Sequence, residues 1–385
     1  MGYRELIIRS YDVQNDKARV EDLERRCEVG PAERVVLFTD TMGDPICRIR
    51  NSPMYKMLVA KFGDELVGVI QGSIKLVALP HKPHNDLAKL GYILGLRVPP
   101  LHRRKGIGLR LVLKLEEWFI ANDVDYAYMA TEKDNEASVK LFMHKLSYVK
   151  FRTPAILVNP VNYRTLPISS SIEVAKVKPE EAELLYRRFM TSTELFPDDI
   201  GNILKNKLSL GTWAAYPRGE SLGGFGSDGK FPNNWAVLSV WNSGGLFKLR
   251  LGKAPLPCVV YTKGSRLIDK MFPCFKLPAI PDFFQPFGFY FMYGLHHEGP
   301  SSGNLVRALC KFVHNMATRN KDCKVVVTEV GGSDILRLHI PHWKSLSCPE
   351  DLWCIKALKN EEKKTIDELT KTPPTKPLFV DPREV

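Results

Sequence analysis

The apolar positions of this chain fall into strand-length and helix-length groups that follow one another in a regular order. Residues 1–9 read as a first strand. Residues 57–60 and 66–71 read as the arms of a hairpin whose reversal is carried by Gly63-Asp64, a turn-forming pair. Residues 92–98 form an apolar run that stops at Pro99-Pro100. The chain then crosses Arg103-Arg104-Lys105 into Gly106-Ile107-Gly108. Directly after it, Leu111, Val112, Leu115, Trp118 and Phe119 recur at the 3.6-residue spacing of a buried helix face. Residues 126–131 are the next strand, and Asn135 opens a second helix that runs past Phe142 to Leu146-Ser147-Tyr148.

The pattern then starts again. Residues 172–177 are strand-like, and Lys178-Pro179-Glu180 is a helix start with proline at the first helical position. Residues 219–229 carry five glycines and read as a loop; 235–241 and 258–261 read as strands, and 273–286 as a proline-studded connection. Residues 287–293 form an uncharged strand, 296–303 a glycine-bearing loop, 304–315 a helix and 325–327 a further strand. Strand, loop, helix, strand is thus used twice, which predicts two α/β domains: residues 1–160, residues 161–360, and a polar tail, 361–385, partly disordered because it is rich in proline and poor in apolar residues.

A basic, glycine-bearing loop between a buried strand and a helix is a way to hold a pyrophosphate. Glycines let the backbone come close, and the first helical turn offers unpaired N–H groups and a positive dipole end. The loop is not a Walker A motif, since no Gly-Lys-Ser/Thr follows, and not a dinucleotide fingerprint, since the third glycine and the distal acid are missing. The matching loop of the second half, 296–303, has no arginine pair and no Gly-x-Gly, so one anion site per chain is expected.

Arg103-Arg104-Lys105-Gly106-Ile107-Gly108 resembles the acetyl-coenzyme-A loop of the GCN5-related N-acetyltransferases, Arg/Gln-x-x-Gly-x-Gly/Ala after a strand. Residues 126–131 with the Asn135 helix resemble that family's closing strand and helix. The implied fold is a mixed α/β sheet of acetyltransferase type; the weakened repeat of its pattern in the second half reads as a second, degenerate acetyltransferase-like domain, with an unrelated α/β domain as the alternative. The resemblance implies that Arg103, Arg104, Lys105, Gly106, Ile107 and Gly108 bind the pyrophosphate of acetyl-CoA, a co-substrate. Backbone from Leu96 to Val98 would pair with the pantetheine and aim an N–H at the thioester oxygen. That donor belongs to Val98 or earlier, because Pro99 and Pro100 have none. Asn135 would touch the pantetheine, or cap its helix, or both.

The catalytic groups are less determined. Phe142 stands where relatives place a tyrosine that protonates the departing thiolate; Tyr148, Tyr92 or water could substitute. Glu132, at the end of its strand, is the general-base candidate; Glu28 is another, and Cys27 has no base beside it to make it a nucleophile. His339, His342, Cys348 and Cys354 lack metal-site spacing, so no metal is expected and Cys354 reads as a buried strand residue.

Segments 24–31, 43–50, 236–242, 340–344, 351–356 and 379–384 look like segments of the HOOKLESS proteins of plants, so the resemblance extends over nearly the whole chain. It implies an N-acetyltransferase acting on a protein lysine, with histone tails as candidate acceptors, in the nucleus, within plant differential growth and ethylene and auxin responses. Two alternatives remain at this point: a non-catalytic acetyl-CoA-binding regulator, favoured by Phe142, and an acetyltransferase for small amines or hormone conjugates.

Composition narrows little further. The 55 basic against 43 acidic residues leave a net charge of +12, suited to an acidic ligand. The basic residues are dispersed, so direct nucleic-acid binding is unsupported. Eight cysteines without a signal peptide read as the reduced thiols of an intracellular protein. The uncharged stretch 283–297 is too short and broken to span a membrane.

Overall fold

The structure is a computed structural model. It describes residues 5–27, 37–79, 87–162, 164–223, 231–252, 281–283, 285–371 and 377–385. Glu28, the strand expected at 258–261, most of the 273–286 connection and residues 224–229 of the glycine loop lie outside them.

The chain forms two compact units, and neither is a continuous segment. The first comprises Met1–Pro154, Ser192–Asp198 and Glu350–Val385; the second comprises Ala155–Thr191 and Asp199–Pro349. This corrects the expected boundaries near 160 and 360.

In the first unit, β1 (Leu6–Ser10) leads to helix α1 (Val13–Arg26), short strand β2 (Leu37–Asp40) and the hairpin β3 (Met54–Phe62)–β4 (Glu65–Ala78). β5 (Leu87–Arg97), helix α2 (Ile107–Ala121), β6 (Tyr126–Glu132), the single turn α3 (Glu136–Val139) and β7 (Val149–Arg152) follow. α2 seats on the sheet because Gly68, Gly72 and Gly91 carry no side chain. A Cβ on any of the three would stand 2.9 Å from Leu111, Leu115 or Phe119. Those leucines and the phenylalanine, with Ile107 and Val112, are buried, each worth about 1.5–3 kcal/mol.

With β16 (Asp351–Ala357), the sheet order is β1-β3-β4-β5-β6-β16-β7, and β10 (Phe196–Pro197) lies on β4. The strand between β6 and β7 is the last in sequence, β16, antiparallel to both. Residues 378–384 are buried in this unit as well. Phe379 packs on Phe196, ring centroids 5.4 Å apart, and its N–H donates to the Glu194 carbonyl. The expectation of a partly disordered tail is therefore corrected for 377–385, whose few apolar side chains find a buried seat that composition does not reveal; residues 372–376 lie outside the described set.

The second unit contains β8 (Ala155–Pro160), β9 (Ile172–Val177), α4 (Pro179–Met190), α5 (Ile200–Leu204), β11 (Ser209–Pro217), β12 (Trp235–Asn242), β13 (Lys248–Leu251), β14 (Gly288–Glu298), α6 (Ser302–Ala317) and β15 (Cys323–Val330). Its sheet order is β8-β15-β14-β12-β11-β9. The path β9-α4-β11-β12-β14-α6-β15 repeats β1-α1-β3-β4-β5-α2-β6. The place that β16 takes beside β6 is taken by β8 beside β15. A final helix, α7 (Lys363–Lys371), belongs to the first unit.

Candidate active site: a fork between two parallel strands

β5 and β6 run parallel and paired from Leu90↔Tyr126 to Ile93↔Met129, and there the pairing stops. β5 continues to Arg97 and β6 to Glu132, so the sheet forks. The bend has a local cause. The β4–β5 register slips between Val69 and Gln71, opposite Leu94 to Arg97, and Gly95 there adopts φ +61°. A bulge of this kind turns a strand out of its ladder. Gln71 holds the far side by donating from Nε2 to the Pro45 carbonyl at 3.0 Å.

Leu96 lies on the freed arm of β5 and Val98 directly after its end, both partly buried against the core. The Val98 carbonyl accepts from Arg103 Nε at 3.2 Å, which ties the basic loop back to the end of the strand. After one short helical turn, Pro100–His102, the loop passes through Arg104 at φ +64° and Gly106 at φ +76°. Arg103, Arg104 and Lys105 are exposed. Gly106 is the N-cap of α2 and offers no side-chain acceptor, and no acid stands in the first turn. The first-turn N–H groups and the positive end of a 15-residue helix thus face outward without a cap.

Gly108, one position after Ile107, is placed differently from Gly106. A Cβ on it would be 3.6 Å from Leu141 and 3.7 Å from Leu96, ordinary contact distances. Nothing in the protein itself requires glycine there.

Asn135 caps α3, its side chain accepting from the Ser138 N–H at 3.3 Å, so the capping role is realised. The helix then widens into a π-type turn, Lys140–Lys145, with Phe142 buried at its centre. Such widened turns often mark functional positions.

Tyr148 requires a correction. Its ring meets Phe142 edge-on at 5.2 Å, and its hydroxyl donates to Glu116 Oε1 at 2.8 Å within the core beneath α2. Lys356 Nζ closes on the other Glu116 oxygen at 2.7 Å. Burial, reinforced by the Glu116 charge, pushes the phenol well above its ordinary range. This hydroxyl is a structural hydrogen bond and not an acid at the fork.

Glu132 lies at the end of β6, half-buried, directly opposite Asp351 of β16. Burial pushes the Asp351 carboxyl up to about 7, with the Glu132 charge adding to it. Glu132 is thus one of two carboxyls that face each other across the β6–β16 pair. Cys27 is buried and its thiol is pushed up by burial, which keeps it protonated and unreactive.

Groups that the sequence pattern does not single out stand nearer to the fork. Arg97 Nε meets Glu24 Oε2 of α1 at 3.2 Å. Tyr92, a candidate only as a substitute acid, lies over Tyr128 with ring centroids 4.7 Å apart, one register pair before the strands part. Tyr128 donates to Glu384 of the returning tail. The signal for Tyr92 and Tyr128 is their place at the ends of two strands; for Glu384, 256 positions from Tyr128, there is none.

Residues 18–148 match the family model for the acetyltransferase (GNAT) family. The chain is 50% identical to "Probable N-acetyltransferase HLS1" of Arabidopsis thaliana, over 98% of this chain and 99% of that protein. The chain belongs to this family of plant acetyltransferases. "Acetyl transferase GW6a" of Oryza sativa subsp. japonica is a further relative, 36% identical over 98% of this chain and 97% of its own. The acyltransferase class and a CoA thioester co-substrate, both expected from the sequence, accord with that membership. Among solved structures, Saccharomyces cerevisiae N-myristoyltransferase with bound myristoyl-CoA is similar over 91% of this chain and 79% of its own, at 11% identity and a TM-score of 0.55. That likeness is one of fold, and it spans both units. No helix among the described residues is long and apolar enough to cross a membrane.

Proposed function

We propose that the fork between β5 and β6 binds acetyl-CoA and transfers its acetyl group to a primary amine, a protein lysine, with histone tails as the first acceptors to test. The observation that carries this reading is the conjunction of the fork with an uncapped, basic, glycine-bearing entry to α2. The pyrophosphate would take the first-turn N–H groups, with Arg103, Arg104 and Lys105 adding charge-assisted contacts. The freed edge of β5 from Leu96 to Val98 offers backbone groups to an extended pantetheine, and one N–H to the thioester oxygen, an oxyanion-hole role. Gly108 supports the reading in its own way: the protein leaves room for a side chain there, so a ligand at the helix start is a reason for glycine.

With Phe142 in place of a phenol and the Tyr148 hydroxyl engaged with Glu116, solvent protonates the departing thiolate, whose ordinary pKa is ~8.5. The same two residues favour the second reading, a regulator that binds acetyl-CoA without turning it over. The nuclear site of action and the role in plant differential growth and ethylene and auxin responses rest on resemblance to the HOOKLESS proteins; fractionation of nuclei from plant tissue tests the former.

Incubating the full chain with labelled acetyl-CoA and, separately, histone-tail peptides, polyamines and amino-acid hormone conjugates decides among these. The expected result is label on peptide lysine. Tight coenzyme binding by calorimetry with no labelled acceptor would establish the regulator reading, and label confined to a small amine would replace the protein acceptor.

A further inference from the structure

On the face of the first sheet away from α2, four charged side chains are buried together. Lys75 Nζ stands 2.7 Å from Glu384 Oε2 and 3.5 Å from Asp381 Oδ2, and Arg383 turns back on Asp381 at 2.7 Å. All four are less than 8% exposed. Two cations and two anions cancel, which is the condition for burying them at all. The two carboxylates differ in character. Against the effect of burial, Arg383 and Lys75 hold Asp381 well below the usual carboxylate range. Burial pushes Glu384 up, with Lys75 opposing it only in part.

Tyr128 donates its hydroxyl to Glu384 Oε2, the same oxygen that Lys75 approaches. The other oxygen, Glu384 Oε1, is buried and has no hydrogen-bond partner among the described residues. A buried acceptor left without a donor is destabilising. A clip that merely fastened the tail would gain by satisfying it. The location matters as much. Tyr128 is in register with Tyr92, and the next pair, Ile93↔Met129, is the last before the fork. The Glu384 carboxyl is therefore held between Lys75, which pairs with Leu90 at the first pair of the parallel run, and Tyr128, in the last pair but one.

We infer that Glu384 is the acceptor-side base of the transfer, its Oε1 receiving the proton of the acceptor ammonium at the fork, while Tyr128 and Lys75 position the carboxylate. The inference rests on the acetyl-transfer reading above. The ammonium gives one N–H proton to Glu384 Oε1. The freed nitrogen lone pair attacks the thioester carbonyl, the C–N bond forms and the C–S bond breaks, its electron pair leaving on the coenzyme sulfur. The thiolate takes a proton from water, and the amide nitrogen and Glu384 each return theirs to solvent. A neutral Glu384 cannot accept, so turnover is lost as pH falls through its pKa. The groups that set that pKa are Lys75 and Tyr128, which favour the carboxylate, and Asp381, which opposes it, with Arg383 neutralising Asp381 and Tyr92 packed on Tyr128.

The test is the pH dependence of kcat and kcat/KM of the full chain, with acetyl-CoA and whichever amine the wild type acetylates. Glu384→Gln keeps an acceptor for Tyr128 and Lys75. It is expected to leave coenzyme affinity within about twofold, to lower kcat by about 10²–10⁴-fold and to abolish the acidic limb of kcat/KM. Tyr128→Phe removes a hydrogen bond that favours the charged carboxyl, so its acidic limb should move to higher pH. If Glu384→Gln is too unstable to assay, the shift in Tyr128→Phe decides. A wild-type rate and acidic limb in Glu384→Gln, or an unmoved limb in Tyr128→Phe, overturns this inference while acetyl transfer stands. Wild-type protein that acetylates no amine overturns both.

Discussion

The molecule contains the same fork twice, and the two are lined in opposite ways. In the second unit, β14 and β15 pair in parallel up to Met292↔Thr328 and no further. The β12–β14 register slips between Val237 and Ser239, and Gly294 in β14 has φ +59°, as Gly95 has +61° in β5. The equivalent helix, α6, also has glycine at its second position, Gly303, where α2 has Gly108. There the likeness ends. A Cβ on Gly108 would meet leucine methyls only at ordinary contact distance, whereas one on Gly303 would clash with the His339 ring. Ser302 closes the same helix start, donating to the Gly299 carbonyl and lying 2.6 Å from His297 Nδ1. At Gly294 the Tyr186 hydroxyl fills the bulge, 2.7 Å from where a Cβ would be, and bonds to Ser239. A backbone frame that permits a coenzyme is thus compatible with having none. The decision lies in side chains that leave the helix start open or occupy it.

The largest expected effect separates the two helix starts. Gly108→Asp places bulk and negative charge where the pyrophosphate would lie, and should weaken acetyl-CoA binding by at least about 100-fold, roughly 2.7 kcal/mol, with the melting temperature little changed. Titration of the wild type by calorimetry should find one coenzyme per chain. Two equivalent sites, or full affinity in the variant, would break the comparison.

A matched pair of alanines sharpens it. Gly303→Ala must displace the His339 ring, and overpacking of this kind costs about 1–3 kcal/mol of stability; coenzyme affinity should not change. Gly108→Ala has room in the protein and removes a helical glycine, so stability should hold or rise by up to about 1 kcal/mol while coenzyme affinity falls. Chemical denaturation and calorimetry on both proteins read the two effects, and the same response in both would deny that the helix starts differ.

The smallest effect concerns the carboxyl pair at the end of β6. Asp351 is buried with its carboxyl pushed up to about 7, well above the value of an exposed aspartate. The folded chain therefore holds this proton more tightly than the unfolded chain. Its contribution to stability is complete at acidic pH and is lost as pH rises from about 4 through about 7. Asp351→Asn removes that loss, so the variant should gain on the wild type in denaturation midpoint between pH 5 and pH 8. A constant difference across that range would mean that Asp351 titrates as an exposed acid.

Much of the first fork is legible in the order of residues. The apolar run ending at Pro99-Pro100, the stripe on α2 and the Asn135 cap are local patterns, and each element forms close to where its spacing predicts. Tyr148 is different, because a sequence does not say which way a hydroxyl faces. Its position suits a proton donor, yet the Glu116–Lys356 pair draws the hydroxyl into the core. The domain boundaries escape the sequence for a related reason. β8 and β16 are strands of six and seven residues, and each pairs with a strand far from it in sequence. Only long-range pairing settles membership.

The order of residues alone determined the repeated strand–loop–helix–strand theme, the family, and the contrast between a basic Gly-x-Gly loop and a loop without one, since backbone freedom and charge belong to residues wherever they lie. The tertiary structure alone decided that His339 covers Gly303 while Gly108 stays open. It also brought residues 378–384, a polar tail by composition, to a neutral buried cluster with Lys75 beside the first fork. Burying a charge is tolerable only beside its counter-charge, and which counter-charge comes near depends on how the whole chain packs.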